Sequence, residues 1–279
     1  MMLPTHTATR YVVPLREGGS LPAILDTEDG GLYVVKFRGA GQGARALIAE
    51  FIVGLLAQRA GLPVPELALI YLDAAFGRTE RDPEIQDILK GSRGLNVGLR
   101  YLDGAFNFDP VAVGDFVSPD LAADIVWFDA YVTNIDRTPR NPNFLLWDRR
   151  LWMIDHGAAL YFHHNWDGLN EAGIHTSFPL IKDHVLLPLA GDLEAADTRM
   201  TTRLHDDVLS ETVALIPEEL LMDAPEGRRP PFASAEENRR AYYDYLRQRL
   251  RGPRPFLEEA IQARRARNRQ PSQPLPYRR

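Results

Sequence analysis

The sequence predicts an α+β fold with two lobes, a small antiparallel β-sheet lobe followed by a larger, mainly helical lobe. Short apolar segments separated by turn residues occupy most of the first hundred residues, whereas longer segments of helical length dominate after residue 105. With 279 residues and 45% hydrophobic content, the chain is long enough to bury a substantial core. We therefore expect lobes over residues 1–102 and 103–265, and an Arg- and Pro-rich tail over residues 266–279.

The first lobe begins with three short strands, predicted over residues 10–15, 21–25 and 31–37, with the turn sequences REGGS and TEDGG between them. The segment ARALIAEFIVGLLAQRA, residues 44–60, has the length and apolar density of a buried helix that ends at Gly61. LALIYLD and LNVGLRYLDGA then read as further strands, the second leading into a Gly-containing connector. The polar segment between them, residues 77–94, reads as an excursion from the sheet.

The second lobe begins with a helix over SPDLAADIVWFDAYVTN, in which Ser118 has the position of an N-cap and Pro119 that of the first helical residue. PNFLLW and LWMID follow as two short strands joined by a tight polar turn. Later helices are predicted in four segments, and Ser234 and Glu237 have capping-box spacing in the last of them. These segments are FPLIKDHVLLPLAG, residues 206–214, PEELLMD and SAEENRRAYYDYLRQRLRG. The sequence RRARNRQPSQPLPYRR at the end reads as a frayed tail.

Composition excludes several classes of protein and site. The net charge of −6 gives no reason to expect direct binding of nucleic acid. The chain has no Cys, which excludes disulfides, thiolate metal sites and a cysteine nucleophile. No signal peptide is recognisable at the N-terminus, and no apolar stretch is long enough to span a membrane. We expect a soluble, cytoplasmic protein.

One stretch, NIDRTPRNPNFLLWDRRLWMIDHG, concentrates polar side chains around the short hairpin. Pairing of the two strands brings Asn141 beside Asp155, and Asp136 lies on the loop that enters the hairpin, five residues before Asn141. Three oxygen-bearing side chains can therefore converge on one small volume. Such ligands suit Mg²⁺ or Mn²⁺, hard ions that proteins usually hold together with the phosphates of a substrate.

The chain also contains the other parts that phosphoryl transfer requires. These parts are an Asp that orients the acceptor, a metal-binding Asn and Asp, a Lys on the phosphates and a Gly-containing loop that covers them. Only three lysines occur in the chain, and Lys36 lies in an apolar strand, followed by Glu50 in the next helix. The candidate phosphate loop precedes both and consists of Gly18, Gly19 and Ser20. This order of parts is typical of kinase-like folds.

NIDRTPRNPN followed by MIDHG resembles the catalytic and metal-binding segments of the HipA-like kinases and, more distantly, those of the phosphatidylinositol kinases. YVVKFRG, AEFIVGLLAQRAGLPVPE and LNVGLRYLDGA also resemble small-lobe segments of the HipA-like proteins. The resemblance covers residues 15–160 and implies a protein-kinase-like fold whose first lobe binds the nucleotide and whose second lobe is catalytic. It also implies that ATP binds between the lobes, with its adenine against the connector residues Leu99, Tyr101 and Leu102.

The resemblance further implies a role for each polar residue of the candidate site. Asp136 would be the catalytic Asp, Asn141 and Asp155 would hold Mg²⁺ or Mn²⁺, and Lys36 would contact the phosphates. The chain departs from ordinary protein kinases, because Ile135 precedes Asp136 and DHG stands in place of DFG. Only about ten residues precede the first predicted strand, so we expect no counterpart of the additional N-terminal domain of the longer HipA toxins.

Each candidate residue also has a structural alternative. Lys36 could be a strand-end residue that extends its ammonium to solvent, and Glu50 either orients that ammonium or is a solvated helix residue. Gly18 and Gly19 could form only a hairpin turn. Arg137 and Arg140 could contact the transferred phosphate or an anionic acceptor, or lie unengaged on the surface, and Asn143 could support Asn141 or only the hairpin.

The sequence therefore indicates an ATP-dependent phosphotransferase, and the resemblance points to the Ser or Thr hydroxyl of a protein as the acceptor. Two alternatives stay open. One is a nucleotide-binding pseudokinase that acts as an interaction module, and the other is a kinase that acts on a lipid or small molecule. Segments after residue 165 match no motif, and fold alone does not fix the substrate.

Overall fold

The computed structural model describes residues 3–15, 21–41, 43–78, 80–110, 116–224 and 229–269. The candidate phosphate loop, Gly18, Gly19 and Ser20, lies outside the described residues, so its predicted role stays a prediction.

A closed barrel of five strands forms the first part of the chain. Its strands are β1 (Thr5–Pro14), β2 (Ala23–Thr27), β3 (Leu32–Lys36), β4 (Leu67–Leu72) and β5 (Gly94–Arg100), in the order β1-β2-β3-β5-β4. Neighbouring strands pair antiparallel, as predicted, except that β1 and β4 run parallel. That pairing, with Thr5 opposite Leu69, closes the barrel, and the sequence pattern did not indicate it.

The strands have two different apolar faces because successive side chains alternate across a sheet. Tyr33 and Val35 of β3 belong to the smaller of two hydrophobic cores, with side chains from the other barrel strands. Val97 and Leu99 of β5 belong to the larger core, which includes most of the helical part. Lys36 pairs with Val97, so Lys36 lies on the face of the barrel that meets the helices.

Helix α1 (Ala44–Arg59) covers this face of the barrel and follows the predicted bounds closely. It is buried on nearly all sides, since it contacts β4 and β5 on one side and α6 (Asp206–Ala214) and α7 (Glu218–Leu221) on the other. The helix ends at Arg59, and Gly61 follows its C-cap with a φ of 76°, which an L-residue rarely adopts. This central position explains why the segment is apolar all round and has no polar face.

The predicted polar excursion contains a helix, α2 (Pro83–Gly91). Asp82 caps it by accepting a hydrogen bond from the Glu84 N–H at 3.0 Å, and Pro83 occupies the first turn. Among its residues only Leu89 is fully buried, and its side chain joins the smaller core. This helix was not predicted, because the segment is mostly polar, although Asp82 and Pro83 form a helix start signal.

The second part of the chain is mainly helical, as predicted. Ser118 caps α3 (Pro119–Tyr131) by accepting from the Leu121 N–H at 3.2 Å, and Ser234 caps α8 (Ala235–Arg251) by accepting from the Glu237 N–H at 3.2 Å. The remaining helices outside the barrel are α4 (Glu171–Ile174), α5 (Leu193–Arg203) and α9 (Pro255–Arg269), besides α6 and α7.

Three details of the helical part differ from the sequence prediction. The segment FPLIKDHVLLPLAG forms one 3₁₀ turn, Pro179–Asp183, followed by turns, because Pro188 cannot donate within a helix. α5 was not predicted, although Asp192 caps it by accepting from two backbone N–H groups. α9 was not predicted either, and it continues to Arg269, so the start of the predicted frayed tail is helical.

The predicted hairpin is present as β7 (Phe144–Trp147) and β8 (Arg150–Met153), with Phe144 opposite Met153. Its turn residues Asp148 and Arg149 both have positive φ, 47° and 58°, as in a two-residue hairpin turn of type I′. A further short strand, β6 (Phe106–Asn107), pairs with β7. The hairpin therefore belongs to a small three-stranded sheet, of which β6 precedes α3 in the chain and β7 and β8 follow it.

Candidate active site

Lys36, the last residue of β3, forms an ion pair with Glu50 in α1. The distance from Lys36 Nζ to Glu50 Oε2 is 2.7 Å, and the Glu50 side chain is only 1% exposed. Glu50 is therefore a buried residue and not the solvated one that the sequence left as an alternative. Glu50 Oε2 also accepts a hydrogen bond from the His156 N–H at 2.7 Å, which connects α1 to the segment after β8.

Asp155 contacts the same ammonium group from the other side, with 2.5 Å between its Oδ1 and Lys36 Nζ. Burial alone would lower the pKa of Lys36, but the two carboxylates raise it above its ordinary value, so Lys36 is a stable cation. Burial would likewise raise the pKa of Asp155, yet the Lys36 ammonium holds it below its ordinary value. Asp155 has a positive φ of 56°, a conformation that a non-Gly residue rarely adopts and that often marks a functional site.

Asp136 and Asn141 are joined directly, since Asn141 Nδ2 donates to Asp136 Oδ2 at 2.7 Å. Asn143 Nδ2 donates to the same oxygen at 3.3 Å, and the Asn143 carbonyl accepts from the Ile154 N–H, so Asn143 serves both the site and the hairpin. In the part of the chain that the structure describes, no hydrogen bond engages Asp136 Oδ1. The Asp136 carboxylate is thus held by one oxygen, and its other oxygen is available.

The donor set fits a divalent metal ion with a preference for oxygen. Asn141 and Asp155 supply an amide oxygen and a carboxylate, and the side chain of Asp155 is 39% exposed although Lys36 engages one of its oxygens. The hairpin register, which places Asn143 opposite Ile154, sets the two residues at the same open end of the small sheet. Mg²⁺ is usually bound in this way, by one or two protein oxygens together with waters and phosphates.

The side chain of Arg137 lies in the protein interior. The prediction that it contacts phosphate or an acceptor is therefore wrong. Its side chain is completely buried, and its guanidinium donates to Asp129 Oδ2 at 2.6 Å and to the Asn143 carbonyl at 2.6 Å. The alternative of an unengaged surface Arg is wrong for the same reason. Arg140, by contrast, is exposed beside the site, so its predicted contact with an anion stays a prediction.

A second set of polar residues lies beneath the site and was not found from the sequence. Asp129 of α3 accepts from Arg137, from Asn134 Nδ2 at 3.1 Å and from His184 Nε2 at 2.9 Å. Burial opposes ionisation of Asp129, but Arg137 lowers its pKa below the ordinary value, so it is a carboxylate. We call Asp129, Asn134, Arg137, His156 and His184 the buried network, since each is at most 3% exposed. An Asp inside the apolar segment DIVWFDAY was the available sequence signal.

The predicted adenine connector begins later than expected. β5 continues through Arg100, so Leu99 is a strand residue opposite Val34, and only Tyr101 and Leu102 lie in the connector itself. The Tyr101 N–H donates to the Leu32 carbonyl at 2.8 Å, which ties the connector to β3. Leu99 shares its face of the barrel with Lys36, so its predicted contact with adenine stays compatible with the geometry.

Among solved structures, the chain is similar to CtkA, a proinflammatory kinase of Helicobacter pylori, with a TM-score of 0.57 and 14% sequence identity. That comparison covers 96% of this chain and 100% of the other and shows a kinase-like fold. A further match is to the Golgi casein kinase, with a TM-score of 0.43, 12% identity, and coverage of 96% of this chain and 73% of that one. No curated protein matches the chain significantly.

No helix among the described residues is long and apolar enough to cross a bilayer. The sequence model of the HipA-like kinases matches residues 10–241, which include most of the barrel, the hairpin and most of the helical part. The chain thus belongs to the HipA-like kinase family.

Proposed function

We propose that this chain transfers the γ-phosphoryl group of ATP to the hydroxyl of a Ser or Thr side chain in a protein. The observation that carries the proposal is the position of Lys36, bonded at once to Glu50 and to Asp155. A strand Lys paired with a helix Glu, beside an Asp that can hold a metal, is the arrangement that phosphoryl transfer in kinases requires. Membership of the kinase family supports the same reading.

Each residue of the cleft has a part in the proposed site. Lys36 would bind the phosphates, Glu50 would orient the Lys36 ammonium, and Asn141 and Asp155 would hold Mg²⁺. When bound, the metal neutralises charge on the phosphates. Gly18, Gly19 and Ser20 are proposed to cover the phosphates, and Leu99, Tyr101 and Leu102 to contact adenine.

Asp136 is the proposed catalytic residue. The hydrogen bonds from Asn141 and Asn143 fix one carboxylate oxygen, and the other can accept a hydrogen bond from the acceptor hydroxyl and then its proton. Since general-base catalysis contributes about 10²–10⁴-fold to a rate, most of the remaining acceleration would come from positioning and charge neutralisation.

The test is phosphoryl transfer from labelled ATP with Mg²⁺, read as autophosphorylation and as labelling of proteins in a lysate. We expect Asp136→Asn to lower the rate about 10²–10⁴-fold without changing the melting temperature. Asp148→Asn, in the exposed turn of the same hairpin, is the matched control and should retain the wild-type rate. If Asp136→Asn transfers phosphate as fast as wild type, Asp136 is not the catalytic base.

The acceptor is identified by mass spectrometry of the labelled products. Phosphoserine or phosphothreonine in proteins, absent with Asp136→Asn, supports the proposal. Label found only in lipids or small molecules would give the kinase a different acceptor class. ATP binding by the wild type without any transfer would indicate the pseudokinase that the sequence left open.

A further inference from the structure

We propose that Arg137 is a positioning residue that sets the distance between the catalytic Asp136 and the metal-binding Asp155. The inference rests on the roles proposed above for these two carboxylates. Arg137 follows Asp136 directly in the chain, but its side chain turns away from the cleft into the protein interior. It therefore acts on the site only through other groups.

The guanidinium contacts both segments that carry the candidate carboxylates. On one side, Arg137 Nη1 donates at 2.6 Å to the carbonyl of Asn143, the residue whose amide holds Asp136. On the other side, the same group lies 3.3 Å from the carbonyl of Ile154, and Nη2 lies 3.3 Å from His156 Nδ1. Ile154 and His156 are the two chain neighbours of Asp155, so one side chain contacts the residue on each side of Asp155, Ile154 at its carbonyl and His156 at its ring.

Arg137 is itself held in place. Its Nε donates to Asp129 in α3, its plane lies 4.6 Å from the ring centre of Phe144, and its backbone carbonyl accepts from the Val185 N–H at 3.1 Å. The guanidinium is planar, and its five N–H donors have a fixed geometry, so it can bind four acceptors at set angles. A Lys ammonium at the end of a flexible side chain cannot do this. The segments that carry Asp136 and Asp155 are therefore both held by the same rigid side chain.

Mg²⁺ makes the position of Asp155 matter, because Asp155 is a proposed ligand and the ion accepts only small departures from octahedral geometry. Residues behind metal ligands typically change metal affinity or activity about 10–100-fold when they are replaced. A residue that only stabilised the fold would instead lower the melting temperature and leave the metal dependence of the folded protein unchanged.

The chain offers a matched control in Arg249, which is also completely buried. Arg249 donates to four backbone carbonyls, at 2.8 to 3.1 Å, but none of them belongs to the residues of the candidate site. The acceptors are those of Tyr131, Ile174, Thr176 and Ala130. We expect both Arg249→Lys and Arg137→Lys to lower stability. Only Arg137→Lys should also affect metal binding.

The experiment measures the affinity of the full chain for a non-hydrolysable ATP analogue by calorimetry, with and without Mg²⁺. We expect Arg137→Lys to reduce the Mg²⁺-dependent gain in affinity about 10–100-fold and to leave the metal-free affinity unchanged. Arg249→Lys should keep the wild-type gain. An unchanged gain in Arg137→Lys, or an equal loss in both variants, would overturn the proposal.

A second variant covers the case in which Arg137→Lys does not fold. His156→Phe keeps a ring in the same space and removes the Nδ1 acceptor, while the other ring nitrogen, Nε2, has no partner among the described residues to lose. A smaller loss of the Mg²⁺-dependent gain is expected, and the absence of any loss would contradict the proposal.

Binding also separates this inference from the proposed function. If the wild type binds the analogue more tightly with Mg²⁺ but transfers no phosphate, the proposed function is refuted. The effect of Arg137→Lys on binding can still be measured in that case. A wild type without any gain from Mg²⁺ overturns the inference.

Discussion

Two neighbouring groups of polar and charged residues in this protein differ in their exposure and in how completely their side chains are hydrogen-bonded. The first, the cleft cluster, consists of Lys36, Glu50, Asp136, Asn141 and Asp155. The second is the buried network around Asp129. In the cleft cluster Asp155 is 39% exposed, whereas in the buried network Asp129 and Arg137 are fully enclosed and bonded to each other. Among the described residues, Glu50 Oε1 in the first group and His156 Nε2 in the second have no hydrogen-bond partner.

The difference distinguishes side chains that can engage a substrate from side chains that hold those residues in position. A polar atom without a partner in a folded protein is costly, so it persists where a ligand or a mobile group completes it. Asp129, Arg137 and His184 are hydrogen-bonded to the protein at every side-chain nitrogen and oxygen, so they have nothing left to offer a substrate and restrict the positions of the segments that they join. Arg137 makes the point most clearly, since it is the chain neighbour of Asp136 but belongs to the other group.

The largest expected effect lies in the buried network. Asp129→Asn removes the carboxylate that compensates Arg137, and leaving one partner of a buried ion pair uncompensated typically costs about 3–5 kcal/mol. Asp244 of α8 is the control, because it and its partner Arg240 lie at the surface, 39% and 72% exposed, and such pairs contribute about 1 kcal/mol or less. Denaturant unfolding of Asp129→Asn and Asp244→Asn measures the difference. Equal losses would contradict the distinction between the two groups.

The second effect lies in the cleft cluster and concerns the rate. Lys36→Met removes the ammonium that we propose binds the phosphates, and we expect phosphoryl transfer to fall about 10²–10³-fold, as for the loss of one preorganised donor. Initial rates with labelled ATP measure it. Lys90→Met, on the exposed side of α2, is the control and should keep the wild-type rate. A full rate for Lys36→Met would remove Lys36 from the site.

The sequence was sufficient to select the residues of the cleft cluster as candidates because each of them belongs to a local pattern. Lys36 ends an apolar strand, Glu50 lies in a strong helix, and the hairpin signals place Asn141 and Asp155 at the same end. The buried network could not be predicted, since Asp129, Arg137 and His184 meet only through tertiary packing over 55 residues of chain. The parallel pairing of β1 with β4 was missed for the same reason, whereas α2 and α5 were missed although their caps are visible in the sequence.

A third prediction uses pH to test whether His184 of the buried network stays unprotonated in the folded protein. Burial lowers the pKa of His184 below its ordinary value of 6.5, despite the opposing effect of Asp129, and Arg137 adds to the decrease. His184 Nδ1 accepts from the Leu186 N–H at 3.1 Å, a bond that protonation of Nδ1 would remove. The unfolded chain therefore binds a proton more readily than the folded chain, and stability should fall as the pH falls below about 6.5.

Melting temperatures between pH 7 and pH 5 check this sign. The wild type should melt at lower temperature toward pH 5, and His184→Gln should show a shallower decrease, although it starts from lower stability. His205→Gln replaces an exposed histidine and should follow the wild-type slope. A slope that is unchanged in His184→Gln would mean that His184 is not held neutral in the folded protein.

The smallest effect tests whether the cleft cluster has the freedom that the buried network lacks. A Cβ added at Gly157 would lie 3.3 Å from Lys36 Nζ and 3.5 Å from the Ala46 carbonyl, close enough to displace the ammonium by a few tenths of an ångström. Because Nζ ends a flexible side chain, Gly157→Ala should raise the KM for ATP less than about tenfold and leave the melting temperature nearly unchanged. Gly173→Ala, where the added Cβ makes only an ordinary contact with Leu169, is the control. A loss of activity in Gly157→Ala as large as that of Lys36→Met would show that the cleft cluster is as rigid as the network behind it.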